Sequence, residues 1–300
     1  MFKKLFSKKY RVHWLVVFGA VLLVGSGAAW WCKLSVRPEH VFWKTIEQSL
    51  ATSGVALSST MTQGEASLEQ HMQFSLGADN RALSQTTLRQ GGTVVVTDVM
   101  GTLGADYTRY AHIQTERTDA QGGPLDLSKV INVWAKSENQ GATSPLLSQT
   151  VLGLTSPLGS MPVPIGDLNP TQRQGLIKQI RSEGVYEPSF KDVKKESKNG
   201  RLYYTYEVKL QTIPYVHLVK EFAKQIGLHD LEQIDPNDYQ GDPLTVQITV
   251  DVRARQITEV YVPATDFRQK FNSYDVRVAT PVPTESITAA ELQQRLNQLQ

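Results

Sequence analysis

The sequence predicts an α+β domain built on an antiparallel sheet, held outside a membrane by one N-terminal helix. Residues 14–31, WLVVFGAVLLVGSGAAWW, run for eighteen positions without an ionisable group. From Gly54 to Thr115 apolar and polar residues alternate at the period of a strand, in segments broken by turn residues rather than by helix-length gaps. Beyond Asn169, helical periodicity alternates with two further hairpin patterns.

At about 1.5 Å per residue the apolar segment spans roughly 27 Å, close to the hydrocarbon thickness of a bilayer. Lys3, Lys4, Lys8, Lys9 and Arg11 precede it with no acid among them. Positive charge stays on the cytoplasmic side, so residues 1–13 read as a cytoplasmic tail, 14–31 as a transmembrane anchor and 38–300 as the extracytoplasmic domain. Trp14, Trp30 and Trp31 then occupy the two interfaces. A cleaved signal peptide and a lipoprotein acylated at Cys32 are the alternatives. Both need small residues at the processing site, where Trp30-Trp31 stands, so an uncleaved anchor on the plasma membrane is the better reading.

The net charge of +2 conceals an asymmetry. Without the tail's five cations, 26 basic residues face 29 acidic ones, a balance of −3. A mildly acidic domain does not suggest a nucleic-acid binder. With Cys32 the only cysteine, neither an intramolecular disulfide nor a cysteine zinc site can form. Asn169-Pro-Thr171 is blocked as a glycosylation site by its proline. These features suit a bacterial envelope better than a eukaryotic secreted protein.

Pro38 opens a helix, PEHVFWKTIEQSL, with Phe42, Trp43, Ile46 and Leu50 on one face. They cap the domain core, or Phe42 and Trp43 dip into the membrane interface. Five strands follow, over 55–63, 67–76, 82–90, 93–103 and 107–115. In the second, Leu68, Met72, Phe74 and Leu76 share a face on which Gln70 is the single polar member. The spacing then predicts a helix over 125–138, with Leu127, Val130, Ile131 and Trp134 on one face. Residues 139–169 form a Gly, Ser and Pro-rich apolar stretch, read as a loop laid over an apolar surface with a short helix near 145–153. A helix from Asn169 or Thr171 to Ser182 follows. Strands over 188–197 and 201–212 meet at Lys198-Asn199-Gly200, and a helix runs from Tyr215 to Ile226. A hairpin pairs 244–252 with 256–262, a last strand covers 271–280, and Thr288 with Glu291 caps a C-terminal helix.

The segments Leu202–Leu210, Tyr215–Ile226, Leu244–Val252 and Gln256–Val262, with Tyr274-Asp275-Val276 leading through Pro281 and Pro283 to a helix at Thr288, resemble in their order the LolA/LppX-type superfamily of extracytoplasmic lipid-binding proteins and lipoproteins. The resemblance covers roughly residues 38–300 and lies in the order of elements rather than in a residue motif. It implies a strongly curved sheet wrapped around helices, a half-barrel with an apolar cavity for lipid or an acyl chain. Members of that family are free or lipid-anchored, and a domain kept on a helix cannot ferry cargo freely.

No phosphate loop, nucleophile elbow or His-Glu-x-x-His motif is present, and the six histidines show no metal spacing, although His71 and His112 could approach each other on neighbouring strands. Asp230, Asp235, Asp238 and Asp242 cluster without the order of a calcium loop. Lys191, Lys194, Lys195 and Lys198 suit an exposed strand, or contact with anionic lipid or wall polymer. No catalytic residue, cofactor or metal site is expected. Candidate cavity residues are Met72, Phe74, Leu76, Val94, Val96, Leu152, Leu154, Leu158, Met161 and Ile165, with Val99, Leu103 and Tyr110 beside them; for each, a place in the core is the competing role. The expected function is non-catalytic binding of a membrane lipid or other apolar ligand at the cell envelope. The alternative is an interaction or sensory module that docks an envelope protein.

Overall fold

A computed structural model describes residues 36–77, 80–119, 122–138, 162–227 and 235–298. The anchor and the short helix expected near 145–153 lie outside the described residues. The chain forms an α+β domain with one large, open, curved sheet and few helices.

Helix α1 (Pro38–Ser49) starts at its proline, as the sequence predicts. Strands β1 (Gly54–Gln63), β2 (Ala66–Ser75), β3 (Arg81–Gln90), β4 (Thr93–Gly101) and β5 (Ala105–Gln114) form a continuous antiparallel meander, each joined to the next by a short turn. Next come β6 (Ala135–Glu138) and α2 (Pro170–Ser182). The carboxamide oxygen of Asn169 caps α2 by accepting from Thr171 and Gln172 N–H, each at 3.0 Å. Strands β7 (Tyr186–Pro188), β8 (Lys194–Lys198) and β9 (Arg201–Leu210) precede α3 (Thr212–Gln225). Then β10 (Leu244–Asp251), β11 (Gln256–Val262), β12 (Phe267–Tyr274), β13 (Ile287–Thr288) and α4 (Ala289–Asn297) complete the chain. The sheet order is β13-β6-β5-β4-β3-β2-β1-β12-β11-β10-β9-β7, with β8 beside β7 on the same edge of β9. Among the described strands only β13 on β6 pairs parallel, beside one isolated parallel bridge between Tyr110 and Ile131.

One face of the sheet carries the core. Val55, Leu57, Phe74, Tyr206, Val208, Val246, Ile248, Val260 and Phe267 pack there against α1, α2, α3 and the segment Val163–Leu168. Phe42 is at its centre, edge-on to Tyr206 and Trp43 with ring centroids 5.2 Å away, geometry that adds about 0.5–1.5 kcal/mol per pair beyond area burial. Phe42 is therefore a core residue and not a membrane contact; Trp43 is half-buried under the Arg181 guanidinium, 4.4 Å from its ring.

Three expectations are corrected. Residues 125–138 form one turn rather than a helix: Val130 and Ile131 N–H donate to the Leu127 carbonyl, Asn132 takes φ 59° and donates to the Tyr110 carbonyl, and the chain then extends into β6. The apolar spacing is used for that single turn, and pairing with β5 wins the rest. The strand expected over 188–197 is split into β7 and β8, because Ser189 Oγ donates to the Asp192 carboxylate at 2.6 Å and Phe190 turns in towards Phe42, with 6.0 Å between their ring centroids. The last strand begins at Phe267 and stops at Tyr274, where Asp275 takes φ 55°. Residues 276–286 then cross the outer face as a strap. Val278 N–H meets Ser75 Oγ at 3.5 Å, Arg81 donates to the Thr280 carbonyl at 3.1 Å, and β13 docks on β6.

Candidate functional site

The strand registers set out the core face row by row. Val55, Phe74, Ala82 and Gly101 stand opposite one another, as do Leu57, Met72, Ser84 and Val99. Next comes a polar row, Ser59–Gln70–Thr86–Thr97–Tyr110, in which Gln70 donates to Ser84 Oγ of the neighbouring row at 2.8 Å. Beyond it an apolar row crosses five strands: Met61–Leu68–Leu88–Val95–Ile113. The strip joins the main core at Met61 and Leu68, which pack against it, and leads away from it towards the β3–β4 turn at Leu88 and Val95.

That strip runs into a groove of about 1060 Å³. Leu88, Tyr110 and Ile113 form its floor, Leu125 and Leu127 one wall, and Leu296 of α4 contributes from above, with Glu116 and Arg117 at the rim. Helix α4 is held there by Leu292 and Leu296, which pack with Val130, Ala135 and Ile287 in a small second core. Thr288 Oγ1 accepts from Glu291 N–H at 3.1 Å, and Arg295 donates to the Lys129 carbonyl at 2.9 Å. Beside the wall, hydrogen bonds from the hydroxyl and N–H of Ser128 hold the Asp126 carboxyl below the usual carboxylate range. Leu88 is 39% exposed, one of four large apolar side chains left open to solvent among the described residues. The groove is open to solvent, and its apolar side chains share the lining about equally with polar residues such as Gln90, Thr93, Thr115 and Gln293.

The cavity residues expected from sequence fall in several places. Phe74, Leu76 and Ile165 are buried in the main core, and Met72 packs against it half-buried. Val94 and Val96 pair with Arg89 and Thr87, so they stand on the outer face, opposite to Met72 and Phe74. Leu152, Leu154, Leu158 and Met161 lie outside the described residues. Val99 packs against the core and Leu103 is exposed in the β4–β5 turn. Among the described candidates Tyr110 alone lines the groove. Leu88, Ile113, Leu125, Leu127 and Leu296 were not singled out as cavity residues, since only the register and the position of α4 bring them together.

On the outer face, Asp98 accepts from Arg109 Nε and Nη2 at 2.8 Å and from Gln85 at 2.9 Å, while the guanidinium of Arg109 lies 4.7 Å from the Trp134 ring centroid. This triad ties β3, β4 and β5 together and covers Trp134; it is a structural network. His71 and His112 share that face, but β3 and β4 stand between their strands, which places them about 14 Å apart. Asp235 is engaged as the N-cap of a short 3₁₀ turn, accepting from Asn237 N–H at 2.9 Å. Among the described residues no three His, Cys, Asp or Glu side chains converge, and no helix is long and apolar enough to cross a membrane. No protein-family model and no curated protein matches the sequence.

Proposed function

We propose that the chain is a single-pass plasma-membrane protein, N-terminus inside, whose extracytoplasmic domain is a LolA/LppX-like half-barrel that binds a lipid or other apolar ligand without catalysing a reaction. The observation that carries this reading is the groove of about 1060 Å³ floored by Leu88, Tyr110 and Ile113, at the upper end of the usual size of ligand pockets. Each methylene removed from water contributes about 0.8 kcal/mol, so a groove that takes one acyl chain needs no reactive group. The polar row from Ser59 to Tyr110 and the rim charges Glu116 and Arg117 suit an amphiphile, whose head needs hydrogen bonds where its tail needs contact area.

Docking of an envelope protein along a sheet edge is less well supported. At one edge β13 has two residues; at the other β7 has three and β8 is KKESK, fully exposed. Short, lysine-rich edges discourage strand addition.

The test is native mass spectrometry of residues 36–300, which carry the entire described core, before and after organic extraction. It is paired with titration of a fluorescent fatty acid. A reproducible added mass lost on extraction, or micromolar uptake weakened at least about tenfold by Leu88→Glu, is the expected result. A protein that is clean by mass and takes up no fatty acid would send the search to a protein partner instead.

A further inference from the structure

Two hairpin turns and the first described residue meet at one place, away from the groove. Asn199-Gly200, with φ 51° and 73°, joins β8 to β9. The turn Val252–Arg255 joins β10 to β11 and hangs on Asp251, whose carboxylate accepts from Arg253 and Ala254 N–H at 2.9 Å. Arg201 reaches the same carboxylate at 3.4 Å, and Val252 N–H donates to the Leu202 carbonyl at 2.9 Å, so the two turns are stitched together. The Tyr204 hydroxyl donates to the Val36 carbonyl at 2.9 Å and fixes the start of the domain beside them. The result is a cleft of about 730 Å³ lined by Val36, Arg201, Leu202, Val252, Arg253 and Arg255.

Its surface combines cations with exposed apolar side chains. Arg37, Lys198, Arg201 and Arg253 are exposed, and the Lys195 ammonium sits 5.5 Å from the Tyr204 ring centroid. Asp251 is buried and already engaged by Arg201 and the turn, leaving Glu196 as the exposed acid of β8, with Glu39 exposed beside Arg37 and Glu207 at the far end of β9. Val36 and Leu202, 41% and 38% exposed, are two of the four most exposed large apolar side chains among the described residues.

We infer that this face docks on the anionic phospholipid headgroups of the bilayer in which residues 14–31 lie; the inference rests on that reading of the anchor. Only four residues lie between Trp31 and Val36, which bounds the distance to the membrane interface at about 17 Å even for a fully extended chain. Val36 and Arg37 are thereby held close to the headgroup layer, and turning the face towards it brings the other cations within a Debye length, about 8 Å at physiological salt. Arginine and lysine beside apolar side chains match the headgroup layer, where the charge meets phosphate and the apolar part enters the acyl boundary. Docking leaves the groove open, since the groove lies at the opposite ends of the strands. It also fixes the domain's orientation relative to the bilayer.

The experiment uses the full chain with Cys32→Ser and Ala254→Cys, an environment-sensitive fluorophore on the new thiol, and nanodiscs containing a lipid-borne quencher. The discs are phosphatidylcholine alone or with phosphatidylglycerol added. Quenching at position 254 is expected in the anionic discs, falling at least about fivefold in phosphatidylcholine alone, in high salt, and with Lys198→Glu/Arg253→Glu. Both reversed residues are exposed, so an unchanged thermal melt should accompany the loss. Quenching that is absent from anionic discs, or that is independent of lipid charge or of the reversals, overturns the docking. A chain that fails to enter the discs at all overturns the anchor, and the docking with it.

Discussion

Four tyrosine hydroxyls close contacts that the apolar core cannot. Tyr204 and Tyr206 of β9 donate to the carbonyls of Val36 and Pro38 at 2.9 Å, Tyr186 donates to Pro162, and Tyr274 to Ile257, both at 2.6 Å. Each satisfies a backbone oxygen where the chain enters or leaves the core, which leaving it unpaired would make costly. Burial pushes the Tyr186, Tyr206 and Tyr274 hydroxyls above the usual tyrosine range. A folded pKa above the unfolded one means a stability contribution that is complete below the unfolded value near 10 and is lost as the pH rises through it towards the folded value. The denaturation midpoint should therefore fall above about pH 10. Tyr206→Phe should cost about 1 kcal/mol at neutral pH, through the bond to Pro38. Because phenylalanine has no proton to lose, the gap between variant and parent should narrow above pH 10. Urea titrations at neutral and alkaline pH check both; a gap that stays constant would mean that Tyr206 ionises as freely in the folded chain as in the unfolded one.

Among the elements, the strap over 276–286 constrains the sequence most tightly. It leaves β12 against the first residue of β1, and the Asp275 N–H donates to the Gly54 carbonyl at 2.8 Å. A β-carbon on Gly54 would stand 2.4 Å from the Val276 carbonyl oxygen and 2.5 Å from that of Phe74, both backbone atoms that cannot swing aside. Gly54→Ala should cost about 3 kcal/mol. Gly175→Ala, inside α2 with nothing within 4 Å, should instead add about 0.5–1 kcal/mol. Thermal melts of the two variants should shift in opposite directions. The strap also shows where the sequence stops being legible. Strands β1 to β5, the Asn199-Gly200 hairpin, α1, α2, α3 and the Thr288 cap follow from local period and turn chemistry, and they stand within a few residues of where the pattern puts them. The single turn at 128–130, the split between β7 and β8, and the two-residue β13 depend on partners distant in sequence. Asn132 donates to Tyr110, Phe190 packs on Phe42, and Ile287 N–H donates to the Trp134 carbonyl. No window of residues contains both members of such a pair.

At the scale of the whole molecule the sheet is unequal in its support, and this explains why the candidate groove was hidden from the sequence. Around β9 and β10 alternate residues are fully buried beneath α1, α2 and α3. In β4 and β5 most positions on both faces are only half-buried, and the second core beneath α4 contains just Val130, Ala135 and Leu292 as buried members. Alternation in the sequence looks the same in both wings, so it marks Phe74 and Val94 alike as inward candidates; only register reveals that they stand on opposite faces. The inequality has a thermodynamic consequence. Backbone pairing is continuous across the sheet, but burying a Val, Leu or Phe contributes roughly 1.5–3 kcal/mol each, and that contribution is concentrated around β9 to β12. Opening of β3 to β5 should therefore take less free energy than global unfolding, while β9 to β11 should open only with the whole domain. Hydrogen exchange followed by mass spectrometry should find the β3–β5 amides exchanging at least about ten times faster than those of β9–β11. Uniform protection across the sheet would mean that the thin wing is supported as firmly as the thick one. If the groove is a binding site, bound fatty acid should slow exchange in β3 to β5 and leave β9 to β11 unchanged, because a ligand stabilises only the openings that would release it. The lightly packed wing is then where the fold leaves apolar surface, Leu88 and Leu103 included, for something other than its own side chains to cover.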